Sequence, residues 1–355
     1  MADEMCLMKG NEAIGEAAIR AGCDAYFGYP ITPQNELTAY MAKNMLDSGR
    51  IFIQAESEVA AMSMVFGASS AGGRAMTSSS SPGISLKQEG ISYACGADIP
   101  CVIVNVQRAG PGLGGIAPAQ GDYFQATRGG GHGDYYHIVL APKSVQEAAD
   151  LTYEAFGLAD KWRMPVMVLA DGLIGQMMEG VTLPPALEPG TRPGRPWAAG
   201  SGRPLARNRI TSIILDPETL EASIHSRYER YAAIAKERTS FEEVEVEDAE
   251  LLFVAYGTSA RVCLGAVQAA REAGLKLGLF RPITLWPFPS ERLATLAAAG
   301  KRFLAVEMSM GQMVQDVRLA VNGAAQVDFF GRCGGVVPRE EEVLAVAKKL
   351  LGRDA

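Results

Sequence analysis

The sequence predicts an α/β protein with two open, mostly parallel-sheet domains. Three observations support this fold class. Short apolar, β-branched runs alternate with stretches of helical period, which is the pattern of parallel sheets covered by helices. The length of 355 residues is too great for one small core. A segment rich in proline and glycine separates two such alternating regions, so we expect a linker between two domains.

The first alternating region is expected to end near residue 183. Residues 9–22 have apolar positions at helical spacing, and Pro33 stands where a helix to Asp47 can begin. Residues 99–107 form a continuous β-branched run, which is typical of a strand covered on both faces. By the same criteria we predict strands at 51–53 (short and buried), 74–78, 138–141 and 165–170, and helices at 57–71, 84–94, 120–127 and 145–162.

The middle of the chain is expected to connect the two regions. Prolines and glycines recur up to about residue 212, which predicts a segment that runs over the surface. A polar stretch at 217–236 predicts one helix that bridges the domains. The predicted organisation is a first domain at 1–183, a linker with a bridging helix at 184–247, and a second domain at 248–355.

The second alternating region repeats the α/β pattern. We predict strands at 251–256, 275–280 and 302–307, and helices at 261–273 and 312–322. Residues 257–260 are predicted to form a turn. Three prolines between residues 281 and 289 predict a rigid loop after the second of these strands.

Composition excludes several classes of protein. No apolar run reaches the roughly 18 residues of a membrane helix, and the acidic start of the chain is unlike a secretory signal. The net charge of -7 argues against a general nucleic-acid surface. The six cysteines contain no CxxC pair, so neither a zinc ribbon nor an iron–sulfur motif is encoded. We expect a cytoplasmic protein with reduced thiols.

Polar residues follow several predicted strands and can meet at one sheet edge. Glu56 and Glu58 come directly after the strand at 51–53, while Ser79 and Arg108 end the next two strands. Thr32 lies between two prolines on a rigid loop. The carboxyl ends of parallel strands are where ligands bind in such sheets, so we expect a site there. The alternative for the two glutamates is a favourable interaction with a helix N-terminus.

Three other patterns admit a functional interpretation and a structural one. The glycines at 110–115 could bind a dinucleotide, but no clear helix starts there and no acidic residue follows at the expected distance. His132 and Asp134, with His137 or His225, could form a two-histidine, one-carboxylate iron site. The alternative is that His132, which glycines flank, is a loop or interface residue. Arg281 ends a strand of the second region, where we expect a buried ion pair or a domain contact.

An ordered set of motifs resembles the α subunit of 2-oxoacid:ferredoxin oxidoreductases, over nearly the whole chain. Each motif alone is modest, but their order and spacing are specific. They are Tyr-Pro-Ile-Thr-Pro at 29–33, Gln-Ala-Glu-Ser-Glu at 54–58, the serine run at 77–83, Gln-Arg-Ala-Gly-Pro-Gly-Leu-Gly at 107–114, Gln-Gly-Asp at 120–122 and Arg-Pro-Ile-Thr-Leu-Trp-Pro at 281–287.

The resemblance implies a thiamine diphosphate pyrimidine-binding domain followed by a transketolase-C-terminal-like domain. Glu58 matches the glutamate that hydrogen-bonds the aminopyrimidine ring and promotes its imino form, whereas Glu56 has no assigned role. The substrate carboxylate would contact the positions of Thr32 and Arg108. The positions implied at the cofactor are, besides Glu58, Pro30, Ser79 and Gly83.

The resemblance also implies partners and a reaction. The Gly-Asp-Gly motif that holds diphosphate and Mg²⁺ is not visible here, so a β subunit would hold them and no metal ligand is expected in this chain. The [4Fe-4S] clusters would lie on other subunits, and a separate γ subunit and a small ferredoxin-like δ subunit are implied. The complex would oxidise a 2-oxoacid with coenzyme A to acyl-CoA and CO₂ and pass electrons to ferredoxin; this chain alone would be inactive.

The substrate is expected to be branched-chain, as in the 2-oxoisovalerate type. Relatives acting on 2-oxoglutarate often carry Gly-Pro-Ser-Thr-Gly where this chain has Gly-Pro-Gly-Leu-Gly at 110–114. Losing two hydroxyls and gaining Leu113 and Ile116 favours an apolar tail. Two alternatives stay open: a 2-oxoglutarate:ferredoxin oxidoreductase α subunit, and a non-catalytic structural or regulatory subunit.

Overall fold

The chain forms two α/β sheets and a separate two-stranded ribbon in a computed structural model. The structure describes residues 5–188, 191, 194–199 and 208–353. The predictions made at Pro189, Gly190, Pro193, Gly200, Gly202 and Pro204 lie outside the described residues. Within the described part of the chain, no helix is both long and apolar enough to cross a membrane.

Strands and helices alternate along most of the chain, as expected. The strands are β1 (Met5–Lys9), β2 (Ala25–Gly28), β3 (Ile51–Gln54), β4 (Ala75–Ser79), β5 (Cys101–Gln107), β6 (Ile138–Leu140), β7 (Pro165–Asp171), β8 (Met178–Thr182), β9 (Phe241–Val244), β10 (Leu251–Val254), β11 (Leu277–Pro282), β12 (Thr284–Trp286), β13 (Arg302–Glu307) and β14 (Val327–Gly331). The helices are α1 (Gly10–Arg20), α2 (Asn35–Asp47), α3 (Glu58–Ser70), α4 (Ser81–Gly96), α5 (Tyr123–Thr127), α6 (Val145–Trp162), α7 (Gly172–Gln176), α8 (Pro217–Arg238), α9 (Gly257–Glu272), α10 (Ser290–Ala298), α11 (Met313–Val321) and α12 (Glu340–Leu350).

The first sheet has seven strands in the order β12-β6-β7-β5-β4-β2-β3. Its strands run parallel except β12, which pairs antiparallel with β6. The middle strands β5 and β7 are buried along their whole length, as the β-branched run at 99–107 predicts. Their side chains enter the apolar layers on both faces of the sheet, so this sheet is the rigid centre of the first region.

The second sheet has five strands in the order β14-β13-β10-β11-β9. Four strands are parallel, and β9 pairs antiparallel with β11 at its edge. The predicted α/β fold class is therefore confirmed, with two mostly parallel sheets. β1 and β8 form the separate ribbon, in which the two strands run antiparallel.

The prediction that residues 51–53 form a buried strand is wrong in its burial. The strand exists as β3, but Ile51 is 53% exposed and Ile53 is 41% exposed. β3 is the last strand of the first sheet and has a neighbour, β2, on one side only. Burial was expected because the three residues are apolar, yet strand order decides which apolar strand lies at an edge.

The second region also departs from the predictions at two loops. Residues 281–289 are not a loop throughout, because β11 continues to Pro282 and β12 follows. β12 joins the first sheet beside β6, so the second region contributes a strand to the first. The expected turn at 257–260 is instead the first turn of α9. Prolines at 281–289 and small residues at 257–260 are typical of loops. Here strand pairing at 281–286 and helix packing at 257–260 override these local preferences.

Arg281 lies between the two regions, as predicted. Its side chain is almost fully buried and forms ion pairs with Glu147 on α6 and Glu242 on β9. The Nη1 and Nη2 atoms donate to the two carboxylate oxygens of Glu147 at 2.9 and 2.8 Å. The prediction of a buried ion pair at a contact between the regions is confirmed, and this bidentate pair fixes one region against the other.

Candidate active site

The candidate site lies where β2, β3, β4 and β5 end at one edge of the first sheet. Glu58 is the first residue of α3, and Ser57 before it caps this helix by accepting a hydrogen bond from the Ala60 amide at 3.2 Å. Only 6% of Glu58 is exposed, whereas Glu56 is exposed. The strand-to-helix transition therefore buries one of the two glutamates and leaves the other at the surface.

Gly83 brings three of the predicted residues together. A Cβ atom built on Gly83 would lie 2.1 Å from the Ser79 hydroxyl oxygen and 2.7 Å from Oε1 of Glu58. No real Cβ tolerates such distances, so glycine is needed for the end of β4, the start of α3 and the first turn of α4 to approach each other. Glu58, Ser79 and Gly83 thus form one cluster, which we call the glutamate cluster.

Buried hydroxyl groups border the glutamate cluster. The hydroxyls of Thr77, Ser79 and Ser80 are buried and have no hydrogen-bond partner in the structure. Ser78, on the same strand, is instead held 2.6 Å from the Tyr26 hydroxyl and 2.6 Å from Oε1 of Gln34. Unpartnered buried hydroxyls are costly, so this edge offers hydrogen-bonding capacity that a polar ligand would use.

Arg108 and Thr32 form a second group. Arg108 donates from Nη1 to the Thr32 carbonyl and from Nη2 to the Leu113 carbonyl, both at 3.0 Å. The Nε atom of Arg108 is buried without a partner. Pro30, which the sequence placed at the cofactor, is exposed on the same loop as Thr32. Among the described residues, no hydrogen bond connects either Arg108 or Pro30 with the Glu58 side chain.

Ser81 joins the arginine to the start of α4. Its hydroxyl accepts from the Arg108 amide at 3.0 Å and lies 2.6 Å from Oδ2 of Asp122. Asp122 also accepts from Nδ2 of Asn105 at 2.9 Å. Burial raises the pKa of Asp122, while the hydrogen bonds from Ser81 and Asn105 lower it. This network ties the main chain of Arg108 to the first turn of α4, the helix that also carries Gly83.

Sequence reasoning missed two charged residues of this site. Lys87 on α4 is fully buried, and its Nζ donates to the Glu58 carbonyl at 3.3 Å. Asp122 was quoted only as part of a motif. A charged residue on the apolar face of a helix is the sequence signal that could identify Lys87. In α4, however, small and polar residues occur on every side, so the buried face cannot be recognised from the sequence.

The other candidates lie apart from the glutamate cluster. His132 is exposed and its ring lies edge-on to Tyr93, with 6.2 Å between ring centres. Burial lowers the pKa of His137 to about 4, and both of its ring nitrogens lack partners. No group of three or more metal-ligating side chains occurs among the described residues.

Two family models cover the chain. Residues 16–238 match the thiamine diphosphate-binding domain of pyruvate flavodoxin/ferredoxin oxidoreductases. Residues 249–343 match the core domain II of pyruvate:ferredoxin oxidoreductase. The first match alone spans more than half of the chain. The chain belongs to the pyruvate flavodoxin/ferredoxin oxidoreductase family. The expected relationship to 2-oxoacid:ferredoxin oxidoreductase subunits is confirmed.

Two relatives of this oxidoreductase subunit align with almost all of it. It is 51% identical over 98% of both chains to the ketoisovalerate oxidoreductase subunit VorB of Methanothermobacter thermautotrophicus. It is 36% identical to the 2-oxoglutarate synthase subunit KorA of the same organism, over 98% of this chain and 99% of that one. The predicted enzyme class, a 2-oxoacid:ferredoxin oxidoreductase that works with partner subunits, is confirmed by these similarities.

Two solved structures have a similar fold. A 2-oxoglutarate:ferredoxin oxidoreductase from Magnetococcus marinus, with 2-oxoglutarate, coenzyme A and succinyl-CoA bound, matches with a TM-score of 0.88 and 27% identity. The match covers 97% of this chain and 65% of that chain. A split-gene transketolase, at 13% identity and a TM-score of 0.60, shares the fold alone.

The glutamate cluster fits the pyrimidine ring of thiamine diphosphate, the group that the matched domain binds. A buried carboxyl group and unpartnered hydroxyls are partners for the ring nitrogen and amino group of an aminopyrimidine. Glycine at position 83 leaves the polar atoms of Glu58 and Ser79 side by side. These hydrogen-bonding groups are therefore suited to a flat, nitrogen-rich ring.

Proposed function

We propose that the glutamate cluster forms the pyrimidine side of a thiamine diphosphate site and that Glu58 hydrogen-bonds the aminopyrimidine ring. The observation that carries this proposal is the approach of the Glu58 and Ser79 side-chain oxygens to the Cα of Gly83. Among the described residues, no hydrogen bond reaches the Glu58 carboxylate. A ring that bonds to this buried group would therefore offset the cost of its burial.

Each residue of the cluster has a distinct part in this proposal. Glu58 is the hydrogen-bond partner of the ring nitrogen, and α3 fixes the position of its carboxyl group. Ser79 offers a hydroxyl beside it, and Gly83 keeps the space clear. Bound thiamine diphosphate supplies a nucleophilic carbon and an electron sink for decarboxylation. Pro30 contributes to the same site as part of the exposed loop before Thr32.

We further propose that Arg108 and Thr32 bind the carboxylate of the 2-oxoacid. The guanidinium is held on one side by the Thr32 and Leu113 carbonyls, which leaves the buried Nε hydrogen without a partner. An arginine oriented in this way presents a planar, positively charged donor group to a carboxylate. Thr32 accepts at its hydroxyl from Asn35, so that hydroxyl keeps its own hydrogen for a ligand.

The preferred substrate is proposed to be a branched-chain 2-oxoacid, such as the 2-oxo form of valine. Leu113 is 82% exposed and Ile116 is 69% exposed on the loop that the Arg108 side chain holds. Two apolar side chains on this loop favour an apolar substrate tail. The higher identity with the ketoisovalerate subunit than with 2-oxoglutarate subunits supports this choice. A 2-oxoglutarate-specific subunit is the alternative.

The remaining parts of the machinery are proposed to lie on partners. A β subunit would hold the diphosphate and Mg²⁺, and the [4Fe-4S] clusters that lead to ferredoxin would lie on other subunits. A γ subunit and a small ferredoxin-like δ subunit would complete the complex. Support comes from the apolar surface beside the site, since Ile51, Ile53 and Val59 are all 41% exposed or more. A location in the cytoplasm, expected from the composition, stays a prediction.

The test of this function is Glu58→Gln in the complex with its partner subunits. Glutamine fills the same space but cannot hold the transferable proton, so coenzyme A-dependent oxidation should fall by roughly 10²–10⁴-fold. The matched control is Glu56→Gln, which changes an exposed neighbour and should leave turnover unchanged. Thermal unfolding of both complexes shows whether assembly persists. Near-normal turnover of an intact Glu58→Gln complex would contradict the proposal.

A second measurement tests the substrate. Turnover of 2-oxoisovalerate, 2-oxoglutarate and pyruvate is compared through reduction of a viologen dye. The proposal expects the highest kcat/KM for 2-oxoisovalerate, with overlap because an apolar lining discriminates by only about 1–3 kcal/mol. A clear preference for 2-oxoglutarate would reject the branched-chain assignment and favour the alternative.

A further inference from the structure

A turn of the second region packs against the loop that the Arg108 side chain holds. The turn comprises residues 333–336, and we call it the glycine turn because Gly334 and Gly335 are its central residues. Its last amide donates to its first carbonyl at 3.3 Å. The loop comprises residues 109–117, and we call it the substrate loop. The glycine turn follows β14, so it lies at the carboxyl end of the second sheet.

The two segments touch at Gly335. A Cβ atom built on Gly335 would lie 2.4 Å from the Cβ of Ala117 and 3.8 Å from the Cβ of Ala109. The first distance is shorter than real Cβ atoms show, and the Cβ of an alanine moves only together with its main chain. A side chain at position 335 would therefore force the substrate loop and the glycine turn apart. At Gly334, by contrast, an added Cβ would meet nothing within 4 Å.

The glycine turn is anchored to the second sheet. The Arg332 amide, directly before the turn, donates to the carbonyl of Glu307 at 3.1 Å, and Glu307 is fully buried at the end of β13. Gly334 and Gly335 have φ of 66° and 95°, a combination that glycine adopts without strain. Residues 110–116 of the substrate loop are exposed. We therefore expect crowding at the contact to move the loop rather than the turn.

The substrate loop transmits a displacement of Ala117, because its two ends are hydrogen-bonded to each other. The Ala109 amide donates to the Ala117 carbonyl at 2.9 Å, and the flanking residues, Arg108 and Pro118, form an antiparallel bridge. In the middle of the loop, the Leu113 carbonyl accepts from the Arg108 guanidinium at 3.0 Å. A shift of Ala117 therefore changes where the exposed apolar side chains of the loop lie relative to this guanidinium.

We propose that the glycine turn positions the substrate loop and thereby contributes to the choice between 2-oxoacids. Gly335 is the positioning residue, because its lack of a side chain sets where Leu113 and Ile116 lie relative to Arg108. The inference rests on the proposed function of Arg108 and of this loop. Apolar side chains favour an apolar tail only where they touch it, so a small displacement weakens this discrimination.

The test is Gly335→Ala in the assembled complex, with Gly334→Ala as the matched control. Both variants place alanine at a positive φ in the same turn, but only the first adds an atom that meets the substrate loop. We compare kcat/KM for 2-oxoisovalerate with kcat/KM for 2-oxoglutarate. In Gly335→Ala the ratio of the first to the second should fall by about tenfold, mainly through a higher KM for 2-oxoisovalerate. Gly334→Ala should keep the ratio of the unmodified complex.

A double variant tests whether the contact itself is responsible. Ala117→Gly removes the atom that the added Cβ would meet, and the next atoms, at 3.6 and 3.8 Å, are ordinary contacts. Gly335→Ala combined with Ala117→Gly should therefore show the same ratio as Ala117→Gly alone. A lower ratio in the double variant would mean that the alanine acts through strain in the turn, which contradicts the proposal.

A structural role predicts a different result from a positioning role. If Gly335→Ala reduces kcat/KM for both 2-oxoacids by the same factor, or changes neither, the ratio is unmoved and the proposal is overturned. Should Gly335→Ala fail to assemble, Gly335→Asn carries the same prediction. Asparagine has the same Cβ atom and adopts positive φ more readily than alanine.

Arg108→Gln separates this inference from the proposed function. Because both 2-oxoacids carry the carboxylate that Arg108 is proposed to bind, this variant should raise KM for both. If it does so and Gly335→Ala leaves the ratio unmoved, only the role of the glycine turn is rejected. If KM is unchanged in Arg108→Gln, the proposed function of Arg108 is rejected together with the inference that rests on it.

Discussion

Replacing Gly83 with alanine should separate the geometry of the site from the stability of the fold. The added methyl group would lie 2.1 Å from the Ser79 hydroxyl, 2.7 Å from Oε1 of Glu58 and 3.1 Å from its Cγ. The first two distances are shorter than real side chains show and the third is tight, so both side chains must move. The serine can rotate at the end of its strand, whereas the carboxyl group is displaced from its position beside the proposed ring site.

The magnitude follows from two opposing effects on stability and one on catalysis. Alanine gains about 1 kcal/mol over glycine within a helix, while crowding in a packed region costs about 1–3 kcal/mol. The net loss of stability is therefore about 0–2 kcal/mol. A carboxyl group moved by roughly 1 Å can cost about 10²-fold in rate. We therefore expect kcat to fall by about 10²-fold in a complex that still folds.

The assay combines urea unfolding with coenzyme A-dependent turnover in the assembled complex. Gly67→Ala is the matched control, since Gly67 lies on the exposed side of α3 and its added methyl would meet nothing within 4 Å. That variant should gain up to about 1 kcal/mol and keep its activity. If Gly83→Ala folds and retains turnover within threefold, close approach at Gly83 does not control the position of Glu58.

Two further predictions concern the fold rather than the chemistry. Glu307 is fully buried and accepts hydrogen bonds from the amides of residues 312–314 at 2.9–3.0 Å. Glu307→Gln should therefore lower the free energy of unfolding in urea by roughly 2–4 kcal/mol. The control Glu340→Gln, at an exposed position, should change it little. Burial holds the pKa of His137 near 4 in the folded chain against 6.5 for the free group; unfolded chains then bind an extra proton between these pH values. The free energy of unfolding should therefore fall by roughly 3 kcal/mol as pH decreases from 6.5 to 4. His137→Leu should remove this pH dependence, whereas the exposed control His132→Asn should keep it. An unchanged pH profile in His137→Leu would refute the assignment to His137.

Local patterns in the sequence predicted most of the central elements. The helix at 145–162 and the strand at 302–307 were predicted with the observed ends. The first segment has a clear helical period and the second has an apolar run at 303–306, so local preference and tertiary burial agree. The α/β class and the family followed from the same information. Strands such as β2 and β12 were missed because they are short and flanked by proline or glycine.

The sequence by itself determined which residue types stand at the strand ends: Glu58, Ser79 and Arg108 follow strands whose order along the chain is plain. Only the tertiary structure decided their distances and their surroundings. It placed Glu58 and Ser79 against Gly83, exposed β3 at a sheet edge and buried Lys87 beside Glu58. The physical reason is that burial and hydrogen bonding depend on which elements pack together, and contacts between residues far apart in the chain leave no local period in the sequence.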